Sequence, residues 1–455
     1  MRLRIVTLVA AIAVAAIGSQ LRTAAQQPLY SVININPAGS THAYATGVND
    51  DYQVVGNDSF NKGFLWMPGV PSYHYDSSTR TSAFAINNLG QIAGTGWNST
   101  VSAAVDPFIW NPATYLGTVY NPVDLIAAAS GSGYPSQLLA INDDALAAGT
   151  LQSASTTPLG FDGFDINTAI GSYFYYSTNV AFTGTSNVLE DVCGVWEASS
   201  PYSALFARYG QAGHNLPGET LGAVTYANPS GANGIDDSDA VVGYENNSVS
   251  GESEAFAWDG ITLAVYGPLG FLPHTVTSTA RAINTASGFV VGQSGLHAFL
   301  WSGDITNPSN GSMTDLNSLV ENNSGWRLVS ATALNDYGAI VGYGYYQQKE
   351  AAFLAIPVII NSLTTDSPSV VGGNTIAGTV TLDAPAPFDM SVTVTTYNAK
   401  VNFGTGIYST AVLIYAGQTS GRFVAHSTSV TVDTPVTLKA TFGGWRRYAN
   451  IDLIP

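Results

Sequence analysis

One ten-residue pattern recurs seven times along this 455-residue chain, and that recurrence limits its fold more than any other feature. It reads GVNDDYQVVG at 47–56, AINNLGQIAG at 85–94, AINDDALAAG at 140–149, a degenerate TSNVLEDVCG at 185–194, GIDDSDAVVG at 234–243, AINTASGFVVG with one extra residue at 282–292, and ALNDYGAIVG at 333–342. Its third position falls at Asn49, Asn87, Asn142, Asn187, Asp236, Asn284 and Asn335, a mean spacing of about 48 residues. Each copy is followed by an aromatic segment such as GFLW at 63–66, PFIW at 107–110, AFAW at 255–258 or AFLW at 298–301. A short apolar run ends at the Asn, polar residues or Gly make a tight turn, and Val-Val-Gly or Ile-Ala-Gly runs back. The aromatic segment is then a third strand, and less regular stretches such as 73–75 and 263–266 supply a fourth. Units of this length and content predict four-stranded blades, and no window shows a sustained helical period.

The expected fold is therefore all-β: a seven-bladed β-propeller over residues 28–358, followed by a small β-sandwich over 359–455. The stretch Tyr30–Ile35 precedes the first complete motif and has no earlier partner, whereas the seventh unit ends at its third strand. That pattern predicts that the leading strand completes the last blade, hiding the open edge. Beyond Pro357 the chain turns Thr/Val/Ser-rich, with alternating strands predicted at 375–382, 390–396, 411–415, 421–425, 436–442 and 448–453.

The A-I-N-x-x-G-x-I-V-G segment followed by A-F-L-W resembles the bacterial HAF-type extracellular repeat over residues 28–358. The resemblance implies export and a propeller-like fold, and it brings no catalytic residues with it. The C-terminal stretch Val371-Gly-Gly-Asn-Thr-Ile-Ala-Gly-Thr-Val-Thr-Leu382, with Ala416-Gly-Gln-Thr-Ser420 before a strand, resembles the Ig-like modules of bacterial surface proteins, which serve as spacers or adhesive appendages. A spacer is the expectation here.

Residues 1–25 read as a secretory signal: Arg2 and Arg4, an apolar run from Ile5 to Ile17 that is too short to span a bilayer, and small residues before Gln26. Its removal would take away Arg2, Arg4 and Arg22 and no acidic residue, moving the net charge from −17 to −20. The expected location is extracellular or at the cell surface, with the periplasm as an alternative and no transmembrane anchor in the mature chain. So acidic a chain repels phosphate backbones, and nucleic acid is not an expected partner. Cys193 is the only cysteine and stands where other copies carry Val or Ala, so it reads as a small buried hydrophobe.

Chemistry-bearing motifs are sparse. No H-E-x-x-H, G-x-S-x-G, Walker loop, G-x-G-x-x-G or Cys/His cluster occurs, so no catalytic residue, metal site or cofactor is assigned. The pairs Asp50-Asp51, Asp143-Asp144 and Asp236-Asp237 recur at one turn of separate units; they are expected to lie far apart and to serve the turn rather than calcium. The connection between second and third strands is where propellers commonly bind ligands. There Trp97, Glu245, His297, Tyr345 and Tyr346 are the candidate ligand-binding residues, aromatic rings beside polar groups being suited to a sugar. Packing of those rings onto the blades is the alternative. The expected function is a non-enzymatic binding protein for a polysaccharide or another extracellular macromolecule. The alternative is a propeller-fold glycoside hydrolase or polysaccharide lyase, with Glu245 beside Glu252 or Glu254 as the carboxylate pair.

Overall fold

The structure is a computed structural model that describes residues 29–60, 62–74, 81–97, 105–110, 122–124, 136–144, 146–152, 158–165, 174–178, 180–185, 192–196, 203–207, 230–246, 250–259, 265–284 and 286–455. The proposed leader at 1–25 lies outside them. Among the described residues the protein is all-β: its strands form nine sheets, and the only helical pieces are the single 3-10 turns Pro308–Asn310 and Leu316–Leu319. No helix among them is long and apolar enough to cross a membrane.

Seven of the sheets follow the seven repeats. The first is Ala43–Val48, Val54–Asp58, Gly63–Met67 and Val70–His74, each strand antiparallel to the next. The second to sixth begin at Ser82–Ile86, Ser136–Ile141, Val180–Thr185, Ser230–Ile235 and Ser278–Asn284, the fourth having three strands among the described residues. The seventh contains Trp326–Leu334, Ile340–Tyr346 and Lys349–Ile356, and its fourth strand is Ser31–Asn34 from the start of the chain. Ser31 stands opposite Ile356 and Asn34 opposite Phe353, which is the pairing predicted for the leading strand.

Three details of the motif recur among the described copies. The Asn side chain closes its own turn: Asn87 Oδ1 accepts the Gln91 N–H at 2.8 Å, and Asn335 Oδ1 accepts the Ala339 N–H at 2.9 Å. The residue three or four places on takes positive φ, as in Tyr52 (59°), Gly90 (74°), Asp239 (61°), Gly288 (68°) and Gly338 (75°). The last glycine of the motif is required for space. A Cβ on Gly94 would lie 1.9 Å from the Ser82 carbonyl oxygen, and on Gly342 2.0 Å from that of Ser330. The vacancy is filled from the third strand, where Phe64, Phe256, Phe299 and Phe353 stand directly opposite Gly56, Gly243, Gly292 and Gly342.

A second feature had no sequence signature. The first and second strands of all seven sheets slip register, skipping Thr46, Phe84, Leu139, Thr183, Asn233, Arg281 and Thr332 in turn, and the seventh slips a second time at Val329. A bulge of this kind redirects the extra side chain. Here it reaches the next sheet: Thr46 Oγ1 donates to Ala83 O (3.0 Å), Asn233 Nδ2 to Ala280 O (2.7 Å) and Thr332 Oγ1 to Ala45 O (2.8 Å).

The order of contacts is cyclic. Asn49 Nδ2 donates to Asn87 O at 3.0 Å, Asn87 Nδ2 to Asn142 O at 2.8 Å, and Asn335 Nδ2, from the seventh sheet, back to Asn49 O at 3.0 Å. Between these latches lie apolar layers, such as Val55, Leu65, Ala83, Ile92 and Trp110 between the first and second sheets. Val291, Leu300, Leu328, Ile340 and Phe353 fill the space between the sixth and seventh. Cys193 is buried beside Ala232, Val241, Phe256 and Trp258, as expected of a small core residue.

The remaining two sheets belong to the C-terminal region. One holds Ile360–Thr365, Thr375–Leu382, Ser420–Ser427 and Val401–Asn402; the other holds Ser369–Val371, Trp445–Ile454, Thr434–Phe442, Met390–Thr396 and Ser409–Ile414. All six predicted strands are present, and Ile360–Thr365, Ser369–Val371 and Val401–Asn402 are additional. Alternate residues, among them Ile376, Val380, Val392, Val394, Phe423 and Leu438, point into one layer between the two sheets. That layer is continuous with Val54, Phe64, Val341 and Leu354 of the first and seventh sheets, so the sequence break at Pro357 is not a break in the core.

These latches predict opposite outcomes for two exchanges. Asn87→Asp keeps the turn-capping oxygen but sets a carboxylate against the Asn142 carbonyl, and is expected to destabilise by about 1–3 kcal/mol. Asp236→Asn supplies a donor that an aspartate lacks, and is expected to stabilise by roughly 0.5–1.5 kcal/mol. Chemical denaturation checks both; a destabilising Asp236→Asn would show that the fifth sheet does not use this latch.

Candidate functional site

Two ends of the sheets carry polar chemistry: the motif turns, and the opposite end where second strands pass into third strands. At the motif turns the acidic residues do not lie apart as expected. Asn88 Nδ2 donates to both Asp50 Oδ2 (3.0 Å) and Asp143 Oδ2 (2.9 Å), and Asp50 Oδ1 accepts the Asp336 N–H at 3.0 Å. The latches that join the first strands of neighbouring sheets also draw their turns together, so residues from separate repeats converge. Burial is the largest influence on Asp50 and raises its pKa; the Asp336 N–H lowers it, the charges of Asp336 and Asp143 raise it, and Asn88 lowers it. Next to it Tyr52, largely through burial and then through Tyr337 and Asp50, is pushed up to about 12. Among the described residues no group of three or more His, Cys, Asp and Glu side chains is arranged to hold a metal ion.

The other end holds the five candidate ligand-binding residues. Trp97 closes the strand Ile92–Trp97 with its backbone opposite Val105; its side chain lies outside the described residues. The other four are held by partners in their own sheets. Glu245 stands directly across from Glu254 on the next strand, while Glu252 is exposed in the connecting turn. Burial raises the Glu254 carboxyl above its ordinary value of 4.5, and the Glu245 charge raises it further. His297 Nδ1 lies 2.8 Å from Asp315 Oδ2, and Asp315 Oδ1 caps the following 3-10 turn by accepting the Asn317 N–H. The Arg327 guanidinium carbon sits 4.7 Å from the centre of the Tyr345 ring, in a cross-strand row that continues to Glu350. Tyr346 packs on Trp326 with ring centres 5.0 Å apart, and Trp326 meets Phe353 edge-on. The sequence thus located one end of several sheets; the contacts seen there run within sheets, between residues brought together by register.

Register also explains what the sequence reading missed. Asp315, Trp326 and Arg327 are partners of expected site residues, yet pairing across strands is invisible in a linear pattern. The turn Tyr346-Gln347-Gln348-Lys349 is another omission. Gln347 (φ 49°) and Gln348 (φ 67°) both adopt the left-handed conformation that hairpin turns usually give to Asn or Gly. Strain of this kind concentrates at working sites.

No protein-family model and no curated protein matches this chain. Among solved structures, one similar chain is the Pseudomonas fluorescens alkylpurine DNA glycosylase AlkC bound to DNA containing an abasic site analog, 20% identical with a TM-score of 0.16; the match covers 22% of this chain and 30% of that one. Another comes from work on the structural basis for Dscam isoform specificity, 9% identical over 93% of this chain and 99% of that one, again with a TM-score of 0.16. Superposition this poor carries neither fold nor function across.

Two outcomes follow for this end of the molecule. Folding raises the Glu254 pKa, so its contribution to stability is fullest below about 4.5 and falls as pH rises through the folded value. Glu254→Gln should therefore raise the thermal midpoint, relative to the parent, more at pH 7 than at pH 4; equal differences at both would contradict the burial assigned to this carboxyl. Replacing Gln347-Gln348 by Asn-Gly is expected to stabilise by about 1–2 kcal/mol through relief of left-handed strain, read by thermal unfolding.

Proposed function

We propose that the chain is a seven-bladed β-propeller of HAF-type repeats over residues 28–358 bearing an Ig-like β-sandwich over 359–455. In this reading it is a secreted or surface-associated, non-enzymatic protein that binds polysaccharide or another extracellular macromolecule at the end where second and third strands connect. The observation that carries the reading is the arrangement at the seventh sheet: Tyr345 under Arg327, Tyr346 on Trp326, and a strained Gln-Gln turn between them and the third strand. Rings fixed by packing can stack on the C–H faces of a sugar without a further ordering cost, while Arg327, Glu350 and the turn amides offer partners for its hydroxyls.

One observation favours the second reading, a glycoside hydrolase or polysaccharide lyase. Glu245 and Glu254 face each other across adjacent strands, and cross-strand neighbours of this kind place their Cβ atoms roughly 4.5–5.5 Å apart. Retaining glycosidases use two carboxyls about 5 Å apart with one pKa raised, and the Glu254 shift has that direction.

A glycan array with product analysis separates the two. The binding reading expects retention of a polysaccharide that weakens at least about tenfold in Tyr345→Ala and releases no reducing ends. Release of reducing ends that disappears in Glu254→Gln would replace it with the hydrolase reading.

A further inference from the structure

The C-terminal region touches the first and seventh sheets at the place where the cyclic order closes. On the seventh sheet it meets the leading strand. Val32 N–H donates to Gly443 O at 3.0 Å, and Trp445 Nε1 donates to Tyr30 O at 2.6 Å in a buried contact. Ser31–Asn34 is thus flanked by Lys349–Ile356 on one side and by the Phe442–Trp445 hairpin on the other. Arg446 adds a hydrogen bond from its guanidinium to Asn323 O, 3.1 Å. On the first sheet, Phe388 sits edge-on to Tyr52 (5.4 Å between ring centres) and to Trp66 (6.2 Å), and Tyr52 in turn stacks on Tyr337 of the seventh-sheet motif turn at 6.0 Å.

The fit at the hairpin is close. Gly443 and Gly444 both take positive φ, 52° and 91°, as a two-residue hairpin turn demands. A Cβ on Gly443 would lie 2.4 Å from Ser31 Cβ, and one on Gly444 2.6 Å from Ser324 Cβ. These glycines therefore answer to two requirements, the turn and the surface it is pressed against.

We infer that the C-terminal region is a lock on ring closure, a staple across the junction of first and seventh sheets in place of a passive spacer. The leading strand is only four residues long, and its pairing closes a loop that spans more than three hundred residues of chain, so its own hydrogen bonds carry a large ordering cost. The hairpin occupies donors and acceptors on the free side of that strand, and Phe388 ties the opposite side of the junction to the same body. Through Phe388 the region also covers the motif-turn end near Tyr52, and through its hairpin it reaches Asn323 and Ser324, just before Trp326, while the Gln347-Gln348 turn stays exposed. Whatever binds the molecule is thereby directed to that exposed turn, a consequence that rests on the proposed function whereas the lock itself does not.

Amide hydrogen exchange on the full chain tests the lock. Gly443→Ala is compared with Gly417→Ala, since Gly417 also has positive φ (76°) but nothing within 4 Å of its would-be Cβ. Gly443→Ala should speed exchange at 31–34 and 349–356 by at least about tenfold, while Gly417→Ala leaves those segments at the parent rate. Trp445→Phe, a milder change that keeps a buried ring and removes the hydrogen bond to Tyr30, should speed the same segments. Phe388→Ala should do so at 49–53. If Gly443→Ala and Trp445→Phe loosen only 434–454 and leave 31–34 at the parent rate, the region is a spacer and the inference fails. Absence of glycan retention by the parent chain, with exchange at 31–34 faster in Gly443→Ala as expected, would count against the binding reading alone.

Discussion

Everything in the repeat region depends on the two-sidedness of one carboxamide. At the third motif position Asn49, Asn87 and Asn335 each use the oxygen to close their own turn and the nitrogen to hold the carbonyl of the equivalent residue in the next sheet, whereas Asn284 donates to Asp336 Oδ1. Both groups are buried, so each would cost free energy if left unpaired, and a residue with only one kind of polar atom could not serve both ends. The same side chain therefore encodes local structure and the relation between neighbours. The latch crosses the point where the chain's two ends meet, because Asn335 of the seventh unit donates to Asn49 of the first.

The bulge, the glycine and the phenylalanine form a second set with one cause. Slipping one residue in the first strand turns Thr46 or Thr332 toward the adjoining sheet, giving another latch one turn of pleat away from the Asn. The first-strand carbonyl then sits where a Cβ of the second strand would be, and only glycine fits at 56, 94, 149, 243, 292 and 342. Glycine leaves a strand without a side chain to pack, and the phenylalanine of the third strand supplies that surface from across the ladder. Removing any member would leave the others without a reason.

The strand content and the partner of the leading strand were legible because they rest on local patterns: an Asn before a turn, alternation, an unmatched first segment. The bulge was not, since Thr46, Phe84, Leu139, Asn233 and Arg281 share neither size nor polarity, and the position is defined by backbone register alone. The convergence of Asp50 with Asp143 and Asp336 was misread for a related reason: residues remote in sequence were placed remote in space, although the latches that join first strands bring their turns together. At the other end the sequence picked out Glu245, His297, Tyr345 and Tyr346 by type. Glu254 was named beside Glu245 as one of two possible partners, whereas Asp315, Arg327 and Trp326 follow only from pairing across strands. Continuity of the core past Pro357 had no signal either, because the composition changes there while the burial does not.

The distribution of strain separates the two ends of the molecule. At the motif turns, positive φ falls on Gly90, Gly288 and Gly338 in three of the described copies, and where a side chain is present, as at Tyr52, it is buried against Tyr337 and Phe388. Side-chain packing there can offset the backbone cost. The Gln347-Gln348 turn has two consecutive left-handed residues without glycine, and both side chains are exposed, so burial offers no comparable compensation. A fold that places glycine at most of its other positive-φ positions, including both residues of the 443–444 hairpin, has the means to relax this turn and does not. The strain lies beside Tyr345 and Tyr346, on the last sheet of the cycle, and the rigidity of the latched frame is what lets it persist.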